Sequence, residues 1–192
     1  MAEFVIRDAD PMWDAAACAA IYAPFVLTAP TSFEEQAPDE GEMTARITRL
    51  TATHPWLVAE QDGALVGYAY ACAHRARPAY RWSTDVSVYV DEQNWRRGIG
   101  RRLYEELLQR LRGQGFRVAC AGITLPNEAS VALHESLGFV AVGVYRDIGW
   151  KAGGWHDVGW WQLDLSPEMG EPAEPLPPGA RRSSRLPLPD ER

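Results

Sequence analysis

The chain has 192 residues, of which 46% are hydrophobic and 23% charged, and carries a net charge of -7. That balance fits one globular domain with a sizeable core. It excludes binding to nucleic acid through the overall field of the protein, which needs net positive charge. No apolar run approaches the roughly 20 residues of a membrane helix, and the opening MAEFVIRDAD has no signal-peptide pattern, so a cytoplasmic protein is expected.

FVIR, residues 4–7, predicts a first strand. Asp10-Pro11 predicts a helix start, with Asp as N-cap and Pro at the first helical position, running through Trp13, Ala17, Ala20 and Ile21. Pro24 and Pro30 are expected to break the stretch that follows, and a second helix is expected after Pro38-Asp39, carrying Met43, Ile47 and Leu50. WLVAEQDGALVGYAYACA predicts a hairpin turning at Asp62-Gly63. Residues 82–90, rich in β-branched and aromatic side chains, predict another strand. The next helix begins near Gly98, lines up Ile99, Leu103, Leu107, Leu108 and Leu111 on one face, and ends near Gly113 or Gly115. VACAGIT predicts a buried strand, residues 128–137 a short helix, and 140–148 and 158–165 the last strands. The order is that of a mixed α/β domain with one central sheet, over residues 1–165. Residues 166–192 are rich in Pro, charge and Ser, and are expected to form a flexible or draped tail.

The three cysteines, Cys18, Cys72 and Cys120, lie far apart in apolar segments and are expected to be reduced, buried small hydrophobes. No C-x-x-C pair suggests a metal, and His54 and His74 belong to no visible constellation. The strongest local signal is VYVDEQNWRRGIGRRLYEELL: a strand, a short loop with Arg96-Arg97-Gly98-Ile99-Gly100, then a helix. Glycines let a ligand approach the backbone, and free amides at a helix start favour a phosphate. Arg96, Arg97, Arg101 and Arg102 add positive charge against the acidic balance of the chain. The pattern is compatible with a pyrophosphate site or with a basic helix start after a Gly turn. A G-x-G-x-x-G fingerprint is not completed, since position 103 is Leu, and no Walker lysine occurs.

Trp95-Arg96-Arg97-Gly98-Ile99-Gly100 resembles the acetyl-CoA pyrophosphate loop of the GCN5-related N-acetyltransferase superfamily (GNAT), Q/R-x-x-G-x-G/A, with Trp95 at the first position. LPNEASVALHESLGF resembles that superfamily's second signature, an Asn followed by a helix that ends in Leu-Gly-Phe. PWLVAE, ARPAYRW, VYV, LPN, LHESLGF and GGWHDVGWWQLDL together resemble the phosphinothricin acetyltransferase family, which includes methionine sulfoximine and sulfone acetyltransferases, over residues 4–165. The resemblance implies the GNAT fold, a mixed and mostly antiparallel central sheet flanked by helices. It also implies acetyl-CoA as co-substrate, a small amino-acid acceptor and a homodimer.

The same resemblance assigns residues. Val88, Tyr89, Val90, residues 95–101 and Asn127 would hold acetyl-CoA, with the Val88 amide facing the thioester oxygen. Asn127 is equally a helix N-cap. Asp85 stands where the family has a catalytic Glu, one methylene shorter, and would take the proton of the amine. His134 occupies a position where many superfamily members have a Tyr that protonates the thiolate; it suits either proton role, and also a hydrogen-bonded helical His. Arg75 and Arg77, two residues apart on an extended segment, suit an anionic acceptor or a solvated loop. Phe33, Tyr80, Ser87, Val158 and the Trp155-His156-Asp157-Val158 loop would complete the acceptor walls. Trp150, Trp155, Trp160 and Trp161 are expected in the core or at a dimer contact. Two other functions stay open: acetylation of another amine or of a protein N-terminus, and a non-catalytic acyl-CoA sensor.

Overall fold

In the computed structural model, which describes residues 4–166 and 170–180, seven strands pair into one sheet. They are β1 (Val5–Asp8), β2 (Trp56–Gln61), β3 (Ala64–Ala73), β4 (Ser83–Val90), β5 (Val118–Leu125), β6 (Val140–Lys151) and β7 (Gly154–Asp164). The order is β1-β2-β3-β4-β5-β7-β6, and every pair is antiparallel except β4 with β5. The helices are α1 (Ala15–Leu27), α2 (Glu40–Thr51), α3 (Ile99–Gln114) and α4 (Glu128–Ser136).

Strand alternation divides the core into two layers. On β2, Leu57 and Ala59 pack with Leu103, Leu107 and Leu111 of α3. Trp56 and Val58, which alternate with them, pack with α1 and α2 through Cys18, Ile21, Met43 and Ile47. The predicted leucine face of α3 is buried throughout, and truncating one of these leucines to Ala should cost about 2–5 kcal/mol. The hairpin turns at Asp62-Gly63, both with positive φ (52° and 79°), the geometry that Asp-Gly supplies. Asp39 caps α2 by accepting the Glu42 N–H.

Some expected boundaries move. The first helix starts at Ala15 rather than at Pro11. Asp10 forms a turn instead, its Oδ1 accepting the Met12 N–H, while the Asp14 carboxylate takes the Asp10 N–H and both arms of the Arg7 guanidinium. Pro24 lies inside α1 instead of ending it; the helix runs one more turn, and Thr28 closes it with N–H and hydroxyl bonds to the Pro24 carbonyl. Residues 155–158 are strand rather than loop, because β6 and β7 form a long hairpin that turns at Ala152-Gly153.

Part of the tail lies on the domain. Trp82 Nε1 donates to the Ala173 carbonyl at 3.0 Å, Leu176 N–H donates to Gln114 O at 2.8 Å, and Arg81 pairs with Glu174. The remainder, residues 181–192, falls outside the described residues, as do 1–3 and 167–169.

Candidate active site

The parallel pair opens the site. β4 and β5 pair only at Ser83↔Val118, Thr84↔Ala119 and Asp85↔Cys120. Beyond that, β4 continues with β3 as far as Val90, and β5 continues with β7 as far as Leu125, so a cleft opens between them. Val86, Ser87, Val88, Tyr89, Gly122, Thr124 and Asn127 are among its lining residues. Backbone parity gives it a free donor. Asp91 N–H bonds Val66 O on the β3 side, whereas the Trp82 carbonyl accepts from Arg117 and Val118 at the start of β5. Even-numbered β4 residues therefore direct their peptide groups toward β5, and past the last pair the Val88 N–H meets the cleft instead of a strand.

The loop at the mouth of the cleft is built for close approach. Arg96 and Gly98 hold positive φ, 62° and 80°, and Gly98 opens α3. The first-turn amides of α3 have no intrahelical acceptor, so they and the helix dipole face the loop. A Cβ on Gly98 meets nothing within 4 Å, and one on Gly100 meets only ordinary contacts with Val90, Leu133 and Val88. Packing thus leaves room at both positions, while the positive φ of Gly98 itself favours glycine. Trp95 Nε1 donates to the Val90 carbonyl at 2.8 Å and pins the loop to the strand end. Arg97 bonds Asn94, Arg101 reaches Glu105 and Ser136, and Arg96 is exposed with no ion pair among the described residues.

Asn127 caps α4, its Oδ1 accepting the Ser130 N–H at 3.1 Å, and also lines the cleft. His134 lines the cleft from α4 but is 3% exposed and has both ring nitrogens engaged. Nδ1 lies 2.7 Å from the Ser130 carbonyl, which can only accept, so Nδ1 donates; Nε2, 3.1 Å from Tyr104 Oη, accepts. Burial lowers the His134 pKa. This is the hydrogen-bonded helical histidine among the sequence alternatives.

Asp85 sits at the closed end of the cleft, in one row across three strands: Cys72↔Asp85↔Cys120. Its Oδ1 lies 2.6 Å from Nδ1 of His74, just past the end of β3, and the side chains are 26% and 16% exposed. Burial raises the Asp85 pKa, against the hydrogen bond and charge of His74 and the charge of Arg75. Burial also pushes both the Cys72 and Cys120 thiols up to about 11. These cysteines are partly buried neighbours of Asp85 rather than core hydrophobes, in contrast to the fully buried Cys18. Donor atoms of His74, Asp85 and Cys120 lie within 4.8 Å of one another, a potential cation-binding group that no spacing in the sequence announces. His74 is thus the principal residue that sequence reasoning missed. Eleven positions separate it from its partner.

Around the pair, His74 stands edge-on to Tyr80 and Trp160, each centroid 5.9 Å away. Arg75 lies over Trp160 at 5.8 Å. Val158 and Ser87 lie on the same face, at positions paired with Tyr145 and Tyr70. Phe33 packs on Gly149, where a Cβ would come within 2.2 Å of its ring. Cys72 also borders a cavity of about 320 Å³ under α2, whose lining includes Tyr22, Glu34, Arg46, Arg49 and Tyr70. Arg46 is held by Glu34 and Glu42, whereas Arg49 is exposed and has no ion pair among the described residues. Arg77 does not share this surround: it lines a separate cavity of about 450 Å³ with His54, Phe116 and residues 175–177, which Arg75 also borders.

Comparison with known proteins adds relatives. Residues 20–139 match the acetyltransferase (GNAT) family model. The chain is 42% identical to a phosphinothricin N-acetyltransferase of Streptomyces viridochromogenes, over 86% of this chain and 89% of that one. It is 35% identical to an L-methionine sulfoximine/L-methionine sulfone acetyltransferase of Salmonella typhimurium, over 83% and 94% of the two chains. A phosphinothricin acetyltransferase from Sinorhizobium meliloti, solved in complex with acetyl-CoA, superposes with TM-score 0.86 at 35% identity, covering 94% of this chain and 98% of that one.

Proposed function

The chain belongs to the acetyltransferase (GNAT) family and is an acetyl-CoA-dependent N-acetyltransferase, and from that premise we propose that its acceptor is a small amino acid with an acidic or sulfonyl side chain, of the phosphinothricin or methionine sulfone type. The observation that carries the reading is the joining of two built features at the Cys72–Asp85 pair: a backbone cleft on one side and, on the other, a polar pocket lined by Arg49, which has no ion pair among the described residues.

The Gly98–Gly100 amides and Arg96 would hold the pyrophosphate, the cleft between β4 and β5 the pantetheine arm, and the Val88 N–H the thioester oxygen as charge develops on it. Asn127 would serve the arm and the α4 cap together. Arg49 and Arg75, with charge-assisted bonds, would hold the anionic groups of the acceptor, and Phe33, Tyr80, Ser87, Trp160 and Val158 would shape its walls. The Asp85–His74 pair would take up the proton that the amine loses. His134, with both nitrogens bonded, would support the cleft wall rather than move a proton. Arg77 would shape the tail-side cavity.

We also propose a homodimer formed through the β6 side of the sheet. β6 is an edge strand, and Val140, Val142, Ile148 and Trp150 on it, with Trp155 of β7, are each at least 55% exposed, an apolar band that a second copy would cover. No helix of the described residues is long and apolar enough to cross a membrane, in keeping with a proposed cytoplasmic location. Acetylation would remove the cationic amine that such amino-acid analogues need for recognition elsewhere, so a resistance role is the proposed consequence.

The deciding assay is thiol release from acetyl-CoA with a panel of phosphinothricin, methionine sulfone, methionine sulfoximine, a polyamine and a peptide amine. The reading requires the highest kcat/KM on the first three. A preference for the polyamine or the peptide would overturn the acceptor class, and acetyl-CoA binding without turnover on any amine would favour the sensor.

A further inference from the structure

We infer that His74 is the group that takes the acceptor's proton, at Nε2, and that Asp85 is a positioning residue holding the imidazole by Nδ1. This deepens the amino-acid acetyltransferase reading and rests on it.

Asp85 is a short side chain on the sheet, and its Oδ1 is already committed to His74 Nδ1 at 2.6 Å. An ionised carboxylate only accepts, so Nδ1 donates and the lone pair of the neutral ring lies at Nε2. Nε2 is on the far side of the ring from Asp85 and has no hydrogen-bond partner among the described residues. The ring stands between Tyr80 and Trp160, whose edge-on contacts fix its plane. The imidazole carries the basic atom away from the Asp85 carboxylate, on a ring flanked by Tyr80 and by Trp160, over which Arg75 lies. In His134, which lines the cleft, the Nε2 lone pair is already taken by the Tyr104 hydroxyl.

The charged and titratable groups facing His74 are Asp85 on β4, Cys72 on β3, Cys120 on β5, Arg75 beside it and Tyr80 on the 3₁₀ turn Pro78–Tyr80. Asp85 is the one acid among them, so proton uptake by the ring creates an imidazolium–carboxylate pair that the site already aligns. In the reaction the attacking nitrogen forms a bond to the thioester carbon, and the C–S bond breaks with its electron pair leaving on sulfur. Starting from the ammonium form, one proton passes to Nε2 and on to water before attack, and the second, shed once the C–N bond has formed, passes by way of Nε2 to the departing thiolate; the products are amide, thiol and one released proton.

His74→Gln keeps an N–H for Asp85 but has no basic atom. With L-methionine sulfone as acceptor, it should lower kcat by ~10²–10³-fold, leave the KM for acetyl-CoA unchanged, and abolish the acidic limb of the kcat/KM profile. His74→Ala should regain part of its rate with added imidazole. Asp85→Asn should keep an acidic limb at an altered position. A His74→Gln enzyme within twofold of wild type, with its acidic limb intact, would overturn the inference while leaving the acetyltransferase reading in place. A wild-type protein that binds acetyl-CoA but acetylates none of the amino acids sinks that reading instead. In that event the imidazole ¹⁵N shifts of the free protein still decide the pair: Nδ1 protonated and Nε2 basic supports it, and a neutral ring protonated at Nε2 overturns it.

Discussion

The two halves of the site are made of different material. The proposed acetyl-CoA half is backbone: the amides of the Gly98–Gly100 turn, the start of α3 and the Val88 N–H, which no strand of the described residues pairs, all within one run of the chain. The proposed acceptor half is side chain: Cys72 and His74 at the end of β3, Asp85 on β4, Cys120 on β5, Trp160 on β7 and Arg49 on α2. A site made of amides depends on local conformation, so it tolerates side-chain change around it but not a new Cβ inside it. A site made of side chains depends on register, and a single substitution alters its chemistry.

That contrast can be broken most sharply at Asp85. Asp85→Asn should cut kcat by up to ~10²–10³-fold, the loss expected of His74→Gln, because the imidazole loses the carboxylate that holds its basic tautomer, while calorimetry shows acetyl-CoA binding unchanged. Loss of cofactor binding in this variant would mean that the two halves are not separable. On the other side, Gly100→Val should weaken acetyl-CoA by roughly 10- to 100-fold, the scale of one or two lost charge-assisted bonds. Equal acetyl-CoA affinity in Gly100→Val and wild type would remove the loop from the cofactor site.

The arginines sharpen the acceptor half. Arg75→Ala and Arg49→Ala should each raise the KM of an anionic acceptor about tenfold, the scale of one charged hydrogen bond, and Arg77→Ala, in the tail-side cavity, by less than about threefold. A larger effect from Arg77 would move the acceptor toward that cavity. Gly149→Ala forces Phe33 aside and should raise the acceptor KM severalfold with acetyl-CoA unaffected.

The smallest expected effect is on stability against pH. His134 and His54 are buried, and burial lowers both pKa values from the ordinary 6.5. The unfolded chain therefore binds protons that the native state resists. Their contribution to stability is complete above that value and declines as pH falls below it. Denaturant unfolding should show stability dropping on the acid side of neutrality, more shallowly in His134→Gln than in wild type. An identical acid dependence in the two would place the loss with other groups.

Contiguous patterns carried most of the fold and half of the site. The Asp62-Gly63 turn, the Asp39 cap, the leucine face of α3 and the glycine loop before it are local: each follows from dihedral preference, capping or period, and each formed as expected. Pro24 and Asp10 show where local rules yield, since a hydrogen-bonded turn and the burial of α1 outweighed an N-cap signal and a breaker. Histidine 74 shows the stronger limit. In the sequence it has no partner within reach, and Cys72 and Cys120 look like small core residues. Only pairing of β3, β4 and β5 sets Cys72, Asp85 and Cys120 in one row and brings His74 onto the carboxylate. Register between strands is a property of the assembled sheet, so the sequence by itself determined the glycine loop proposed for the cofactor's phosphates, and the tertiary structure decided which side chain meets Asp85.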